Sequence, residues 1–146
     1  MQIHQIAIFL ENKPGYLSSI CRALAEAQIN IVTLSIADTQ QYGLLRLIVE
    51  DWRAAVDSLH KAGFLCNVTA VVAVEVADRP GGLSELLEAI STAGVNIEYM
   101  YAFTFRSGAK AVMVFRFDDP AKAMAALEAK GIKVLGHVEL FQNAKA

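Results

Sequence analysis

Apolar and polar positions along the first half of the chain switch between the two-residue period of strands and the 3.6-residue period of helices. Short runs rich in β-branched residues predict strands, and apolar residues at helical spacing from Leu17 to Ala27 predict a helix. Asp51 is placed to cap a second helix, which Gly63 ends. The predicted elements are strand 3–10, helix 17–27, strand 31–36, turn 38–43, strand 44–49, helix 52–62 and a strand from about residue 65.

The second half follows the same βαββαβ order. An apolar helix stripe runs from Leu83 to Ala93, and Asp119 followed by Pro120 marks the start of the last helix. Gly131 ends that helix. The predicted elements are strand 71–76, helix 83–93, strand 97–105, strand 111–117, helix 120–130 and strand 134–141.

These halves predict an α+β fold of two ferredoxin-like βαββαβ units, with antiparallel sheets and helices on one face. We expect domains at residues 1–68 and 69–146, with their sheets joined into one of eight strands. Residues 65–76 contain no Gly or Pro, so they form one long strand or two strands close in sequence. If the sheets join through their second strands, this link would have to span roughly 29 Å. The halves then either exchange their last strands or pair between the chains of a dimer.

The two halves also repeat each other at an offset of 66 positions. Between residues 14–31 and residues 80–97, 8 of 18 positions are identical. A repeat present in only two copies is typical of a duplicated small domain, because solenoids need at least three units. Gln28 stands where the second copy has Gly94, which predicts that the two helices end differently.

Composition excludes several classes of protein. Hydrophobic residues make up 55% of the chain and charged residues 19%, which excludes a disordered chain. The net charge of −2 lacks the basic field that nucleic acid requires. The sequence shows neither an apolar run that would span a membrane nor the basic start of a signal peptide. We therefore expect a cytoplasmic protein in which Cys21 and Cys66 are buried, reduced thiols.

A tight turn with Pro and Gly joins a strand to a helix in each half, at residues 12–15 and again at residues 78–81. The start of a helix presents free backbone N–H groups and the positive end of the helix dipole. Gly15 and Gly81 let a ligand approach this backbone, so the turns suit a carboxylate or a phosphate. The alternative is that Pro-Gly only starts a helix well, with Asn12 or Asp78 as a local turn former.

The motifs Asn-Lys-Pro-Gly-x-Leu at residues 12–17, Ile-Asn-Ile at residues 29–31 and Tyr-Gly-Leu-Leu-Arg-Leu at residues 42–47 resemble those of the ACT domain. This family is the small-molecule regulatory module of amino-acid metabolism. Two such domains cover essentially the whole chain, and residues 98–103 also resemble those of bacterial stand-alone tandem ACT proteins. The resemblance implies βαββαβ units that pair side by side and bind amino acids at the seam.

The resemblance also implies two ligand sites, each formed where the turn of one domain meets the start of the second strand of the other. The residues implied for the first site are Asn12, Lys13, Pro14, Gly15, Tyr16, Leu17 and Asn96. Those implied for the second site are Asp78, Gly81, Gly82, Leu83 and Asn30. Because the carboxylate of Asp78 would repel an anion where Asn12 would not, we expect unequal sites and favour the first.

Catalytic and cofactor motifs are not found in the sequence. His4, His60 and His137 lie far apart without ligand spacing, and we expect no metal, no cofactor and no enzymatic activity. Small ferredoxin-like enzymes of the acylphosphatase type are the alternative, and they would need Arg79 to bind an anion. The four aromatic residues that alternate from Tyr99 to Phe105 share one strand face, which favours a core or an interface over RNA binding.

The function expected from these observations is that of a non-catalytic regulatory protein. The chain would bind a free amino acid between two ACT domains, form a homodimer and act on a metabolic enzyme partner, without contacting nucleic acid or membrane. The alternative is a ligand-free assembly or regulatory subunit of an amino-acid biosynthetic enzyme.

Overall fold

Residues 2–38 and 41–145 are described by a computed structural model of the chain. The predicted turn at residues 38–43 lies partly outside the described residues. Internal contacts divide the chain into a first unit, His4–Thr69, and a second unit made of residues 70–145 together with residues 2 and 3. Each unit is described separately below.

The first unit folds in the predicted order. Its elements are β1 (Ile3–Glu11), α1 (Tyr16–Glu26), β2 (Ile31–Asp38), β3 (Tyr42–Val49), α2 (Trp52–Lys61) and the start of β4 (Cys66–Ala77). The strand order β2-β3-β1 is antiparallel, with Leu47 of β3 opposite Ile6 on one side and Leu34 on the other. Alternate residues of β1 and β3 pack against Ile20 and Leu24 of α1. Ala55 and Leu59 of α2 belong to the same core, so both helices cover one face of the sheet.

The second unit repeats this arrangement with one addition. Its further elements are α3 (Gly82–Thr92), β5 (Ile97–Ser107), β6 (Lys110–Phe117), α4 (Pro120–Ala129), β7 (Val134–Leu135) and α5 (His137–Lys145). The strand order is β7-β4-β6-β5, again antiparallel. Val72, Val74 and Val76 of β4 pack with Phe115 of β6 against Leu86 of α3 in a second core.

The helix starts confirm the predicted caps. The Asp51 carboxylate accepts a hydrogen bond from the backbone N–H of Ala54 at 3.1 Å, and Asp119 accepts one from Lys122 at the same distance. Each bond satisfies one of the N–H groups that the first turn of a helix leaves unpaired.

The number of strands differs from the prediction. The described residues contain seven strands, and the predicted eight-stranded sheet is not confirmed. The reason is that β4 runs without interruption from Cys66 to Ala77, because no Gly or Pro breaks this run. The closing strand of the first half and the opening strand of the second are therefore one continuous strand.

The last predicted strand, residues 134–141, is wrong beyond its first two residues. β7 ends at Leu135, and α5 begins at His137. Leu140 and Phe141 are both buried although they are adjacent, an arrangement that a helix allows and that the alternating faces of a strand oppose. The first helical bond runs from the N–H of Leu140 to the carbonyl of Gly136, at 3.0 Å.

The start of α5 is stabilised electrostatically. The Glu139 carboxylate accepts a hydrogen bond from the backbone N–H of Gly136 at 3.3 Å and forms an ion pair with Lys133 at 3.0 Å. The hydrogen bond from Lys133, followed by that from Gly136, holds the pKa of the Glu139 carboxyl below its ordinary value. An acid in the first turn also complements the helix dipole, so this position favours a helix start.

The ends of α1 and α3 are alike, which contradicts the prediction from Gln28 and Gly94. Gln28 adopts the left-handed conformation with φ 58°, and Gly94 does so with φ 68°. Each donates its N–H to the carbonyl three residues earlier, and the next residue donates to the carbonyl five residues earlier. The chain reversal requires this geometry whatever the side chain, so Gln28 bears a conformational strain that glycine does not.

Replacing Gln28 with Gly is expected to raise the free energy of unfolding by about 1 kcal/mol, because glycine adopts positive φ without a steric penalty. The expected rise in melting temperature is about 2–4 °C. The matched control is Ala27→Gly, since Ala27 has φ −82° and gains nothing from glycine. Thermal unfolding of both variants checks this prediction, and equal shifts for the two would contradict it.

Candidate functional site

The first Pro-Gly turn leaves helix α1 with free donors at its N-terminus. Gly15 is the N-cap residue, with φ 91° and no side-chain capping bond. Within the described ranges, the backbone N–H groups of Leu17 and Ser18 have no hydrogen-bond acceptor. Ser19 instead donates both its N–H and its hydroxyl to the carbonyl of Gly15. The turn therefore exposes two unpaired donors at the positive end of the helix dipole.

The residues before this glycine position the turn without blocking it. The N–H of Asn12 donates to the carbonyl of Gln41 at 3.1 Å, which anchors the turn to the start of β3, and the Asn12 side chain is exposed. Lys13 forms an ion pair with Glu11 at 2.6 Å, and the hydrogen bond to Glu11 raises the pKa of the Lys13 ammonium. The remaining predicted residues of this turn, Pro14 and Tyr16, are also exposed.

The second turn has the same backbone geometry. Gly81 is the N-cap residue of α3, with φ 85° and no side-chain capping bond. The N–H groups of Leu83 and Ser84 have no acceptor in the part of the chain that is described. Gly82 differs from its counterpart Tyr16 because it is buried, and a Cβ built on it would overlap the carbonyl oxygen of Ala77. Gly82 is therefore required for the close packing of α3 on the end of β4.

An ion pair with the end of β5 distinguishes the second turn from the first, where Lys13 pairs with the neighbouring Glu11. The carboxylate of Asp78 lies 2.8 Å from the guanidinium of Arg106, which reaches it from the end of β5. The sequence pointed to Asp78 but not to its partner Arg106. The only sequence signal for this ion pair was the greater length of the second hairpin, which carries Arg106 at the end of β5. The turn borders an open cleft of about 410 Å³ lined by Val76, Ala77, Asp78, Arg79, Pro80, Leu83, Ala111 and Met113.

The two predicted asparagines lie at the entrances of second strands. Asn30 is exposed immediately before β2, and Asn96 is exposed immediately before β5. The backbone of Asn96 is held at both polar groups, since its N–H donates to the carboxylate of Asp118 and its carbonyl accepts from the N–H of Asp118. The pairing of the first turn with Asn96, and of the second turn with Asn30, joins the two units and stays a prediction.

The catalytic alternative depends on Arg79, whose guanidinium is already engaged. It forms an ion pair with Glu85 at 2.7 Å and donates to the carbonyl of Pro80 at 3.3 Å. This engagement leaves the side chain poorly placed to bind a phosphate at the turn.

One thiol lies beside one imidazole. Cys66 lies 3.5 Å from the Nε2 atom of His60, and burial raises the pKa of its thiol, which disfavours the thiolate. His4 stacks on Trp52 with ring centroids 4.7 Å apart. Among the described residues, no group of three or more His, Cys, Asp and Glu side chains is placed to hold a metal ion. None of the helices in residues 2–38 and 41–145 is long and apolar enough to cross a membrane.

The family model for the ACT domain pair matches residues 1–142. The chain therefore belongs to the ACT domain family and contains a tandem pair, which confirms the resemblance predicted from the sequence. No curated protein matches the chain significantly.

Solved structures agree with this assignment. Protein BT0572 from Bacteroides thetaiotaomicron is 36% identical, with a TM-score of 0.90 over 97% of this chain and 96% of its own. The ligand-free regulatory subunit of aspartate kinase from Thermus thermophilus is 21% identical, with a TM-score of 0.64 over 90% and 92% of the two chains. The subunit from Thermus flavus is 19% identical, with a TM-score of 0.59 over 88% and 93%. At these lower identities the two subunits show the fold alone.

Proposed function

We propose that the chain is a non-catalytic regulatory protein that binds a free amino acid between its two ACT domains. The ligand carboxylate would lie on the free N–H groups at the start of α1. The carboxamide of Asn12 and that of Asn96 from the other domain would complete the first site, and occupancy would alter association with a metabolic enzyme. A homodimer in the cytoplasm remains part of this proposal.

The observation that carries the proposal is the turn before each first helix. Both turns combine a left-handed glycine N-cap with two N–H groups that have no acceptor within the described ranges. A carboxylate matches such a group of donors in geometry and in charge. Family membership adds that amino-acid metabolism is the setting in which such a ligand would act.

The first turn is the better candidate on electrostatic grounds. Its Asn12 is uncharged, whereas Asp78 in the second turn is an anion that already occupies Arg106. A ligand carboxylate at the second turn would meet the field of Asp78, which the exposed Arg106 offsets only in part. We therefore propose that the first site binds the more tightly of the two.

Thermal melting in the presence of each of the twenty amino acids tests the proposal. A specific ligand at about 100 times its dissociation constant adds about 2.7 kcal/mol to the free energy of unfolding. For a chain of this length, the expected rise in melting temperature is about 5–11 °C. If none of the twenty amino acids raises the melting temperature, the sensing function is excluded.

Two glycine variants identify the turn as the site. Gly15→Ala and Gly63→Ala add a methyl group at positions of nearly equal φ, 91° and 88°, where nothing lies within 4 Å of the new Cβ. Both should lose about 1–2 kcal/mol of stability from the left-handed conformation. Only Gly15→Ala places the methyl beside the free donors, so it should lose most of the ligand-induced shift that Gly63→Ala keeps. Equal shifts would exclude the first turn as the site.

The second candidate is a ligand-free assembly or regulatory subunit of an amino-acid biosynthetic enzyme. It extends to this chain the role of the two Thermus proteins that share its fold, which are regulatory subunits of aspartate kinase. Gel filtration of the chain mixed with an aspartate kinase catalytic subunit from the same cell tests it directly. A stable complex, together with a melting temperature that no amino acid changes, would favour this candidate over the sensor.

A further inference from the structure

The tip of the β5–β6 hairpin, residues 106–110, contacts two acids near the end of β4, Glu75 and Asp78. Ser107 donates its hydroxyl to Glu75 at 2.6 Å, and Lys110 approaches the same carboxylate at 3.4 Å. Arg106, next to Ser107, forms the ion pair with Asp78. The Glu75 side chain is only 8% exposed, so its carboxylate oxygens depend on these partners for hydrogen bonds. The hairpin tip therefore links the second Pro-Gly turn to a buried acid.

The same hydroxyl also binds the C-terminal helix. The side-chain amide of Asn143 in α5 donates to the Ser107 hydroxyl at 3.3 Å, while this hydroxyl donates to Glu75. A serine hydroxyl can be donor and acceptor at once, so the two bonds reinforce each other. Because Val74 and Val76 point into the core of the second unit, Glu75 and this hydroxyl lie on the opposite face of the sheet.

An irregularity in the pairing separates the hairpin tip from the rest of β5. The pairing of β5 with β6 shifts register between Ala102 and Arg106, so residues 103–105 bulge from the ladder. Pairing resumes at the tip, where Arg106 lies opposite Ala111 and Ser107 opposite Lys110. A bulge of this kind re-aims the segment beyond it and separates that segment from the regular ladder.

We propose that this hairpin tip couples the second Pro-Gly turn to α5, so that the docking of α5 responds to the state of the turn. A change at Asp78 releases or repositions Arg106. The adjacent Ser107 then weakens its bonds to Glu75 and Asn143, and α5 loosens. The use of this coupling to signal an amino acid rests on the proposed function, whereas the coupling itself does not require a ligand.

Hydrogen–deuterium exchange of the amides of α5 in the full-length protein tests the coupling. Arg106→Ala should accelerate their exchange about two- to fivefold, the effect expected from the loss of an exposed ion pair. The matched control is Arg79→Ala, which breaks another exposed ion pair whose partner, Glu85 of α3, lies outside the proposed path from Asp78 through Arg106 and Ser107 to α5. If Arg106→Ala accelerates α5 no more than Arg79→Ala does, the coupling is excluded.

Ser107→Ala tests the relay separately. It should accelerate exchange of α5 about tenfold, because it removes a bond to a buried carboxylate as well as the bond to Asn143. Unchanged exchange would overturn the relay. Asn143→Ala should act on α5 alone and leave the amides of α3 and α4 unchanged, which shows that the effect is local.

A final arm separates this inference from the proposed function. Any of the twenty amino acids that raises the melting temperature is added to the wild type and to Ser107→Ala. Altered exchange of α5 in the wild type alone supports the use of the coupling in sensing, and unaltered exchange in both excludes it. If no amino acid changes the melting temperature, the proposed function fails. The Arg106→Ala and Ser107→Ala results still decide whether α5 is coupled to the second turn.

Discussion

Gly82→Ala is expected to lower the free energy of unfolding by about 3 kcal/mol, one of the two largest effects predicted for this protein. The new Cβ would overlap the carbonyl oxygen of Ala77 and lie 2.9 Å from the carbonyl carbon of the same residue. Both obstacles are backbone atoms of the strand end, so relief requires α3 to move away from β4. This movement would open the second core at Leu86, which is buried at the inner face of α3. Chemical denaturation followed by circular dichroism measures the loss.

The neighbouring glycine supplies the control for this prediction. Gly81→Ala also introduces a methyl group, but the nearest atom is the end of the flexible Arg79 side chain at 3.9 Å. Its cost should be about 1–2 kcal/mol, because φ of 85° is unfavourable for alanine. A loss for Gly82→Ala that is no greater than the loss for Gly81→Ala would show that α3 does not pack closely on β4.

The second large effect is expected for Leu140→Ala, with a loss of about 2–5 kcal/mol in the free energy of unfolding. Leu140 is fully buried, and truncation leaves a cavity where α5 covers the second unit. The matched control is Val138→Ala in the same helix, where the side chain is 66% exposed and the expected change is within about 0.5 kcal/mol. Equilibrium unfolding of both variants gives the two values.

This pair of variants also distinguishes the helix from the strand that the sequence predicts. In a strand, Val138 and Leu140 would share one face, so their truncations would cost similar amounts. In a helix, the two side chains are about 200° apart around the axis and lie on nearly opposite sides. Comparable losses would therefore favour a strand at residues 134–141 and contradict α5.

Most elements of the fold could be predicted because their signals are local. The helical stripes of α1 and α3, the caps Asp51 and Asp119 and the Pro-Gly turns each depend on a few consecutive residues. Local steric and hydrogen-bonding rules act in the same way in every fold. The repeat of these signals at a constant offset then predicted two similar units.

The candidate site was predictable in part for the same reason. Free N–H groups follow from a helix start without a side-chain cap, which Gly15 and Gly81 indicated in the sequence. The partner of Asp78 was not predictable, because Arg106 lies 28 positions later in the chain and reaches it only through the hairpin. Packing also gave Gly82 a role that no local pattern indicated, since its neighbour Ala77 belongs to the preceding strand.

The sequence by itself determined the tandem βαββαβ order, the position of both turns and the family, because each depends on short-range patterns. Only the tertiary structure decided that residues 66–77 form one strand and that residues 137–145 form a helix. The latter segment fits a strand by alternation and a helix by its adjacent apolar pair. Burial of Leu140 and Phe141 together, with the bond from Asn143 to Ser107, favours the helix, and these contacts exist only in the folded unit.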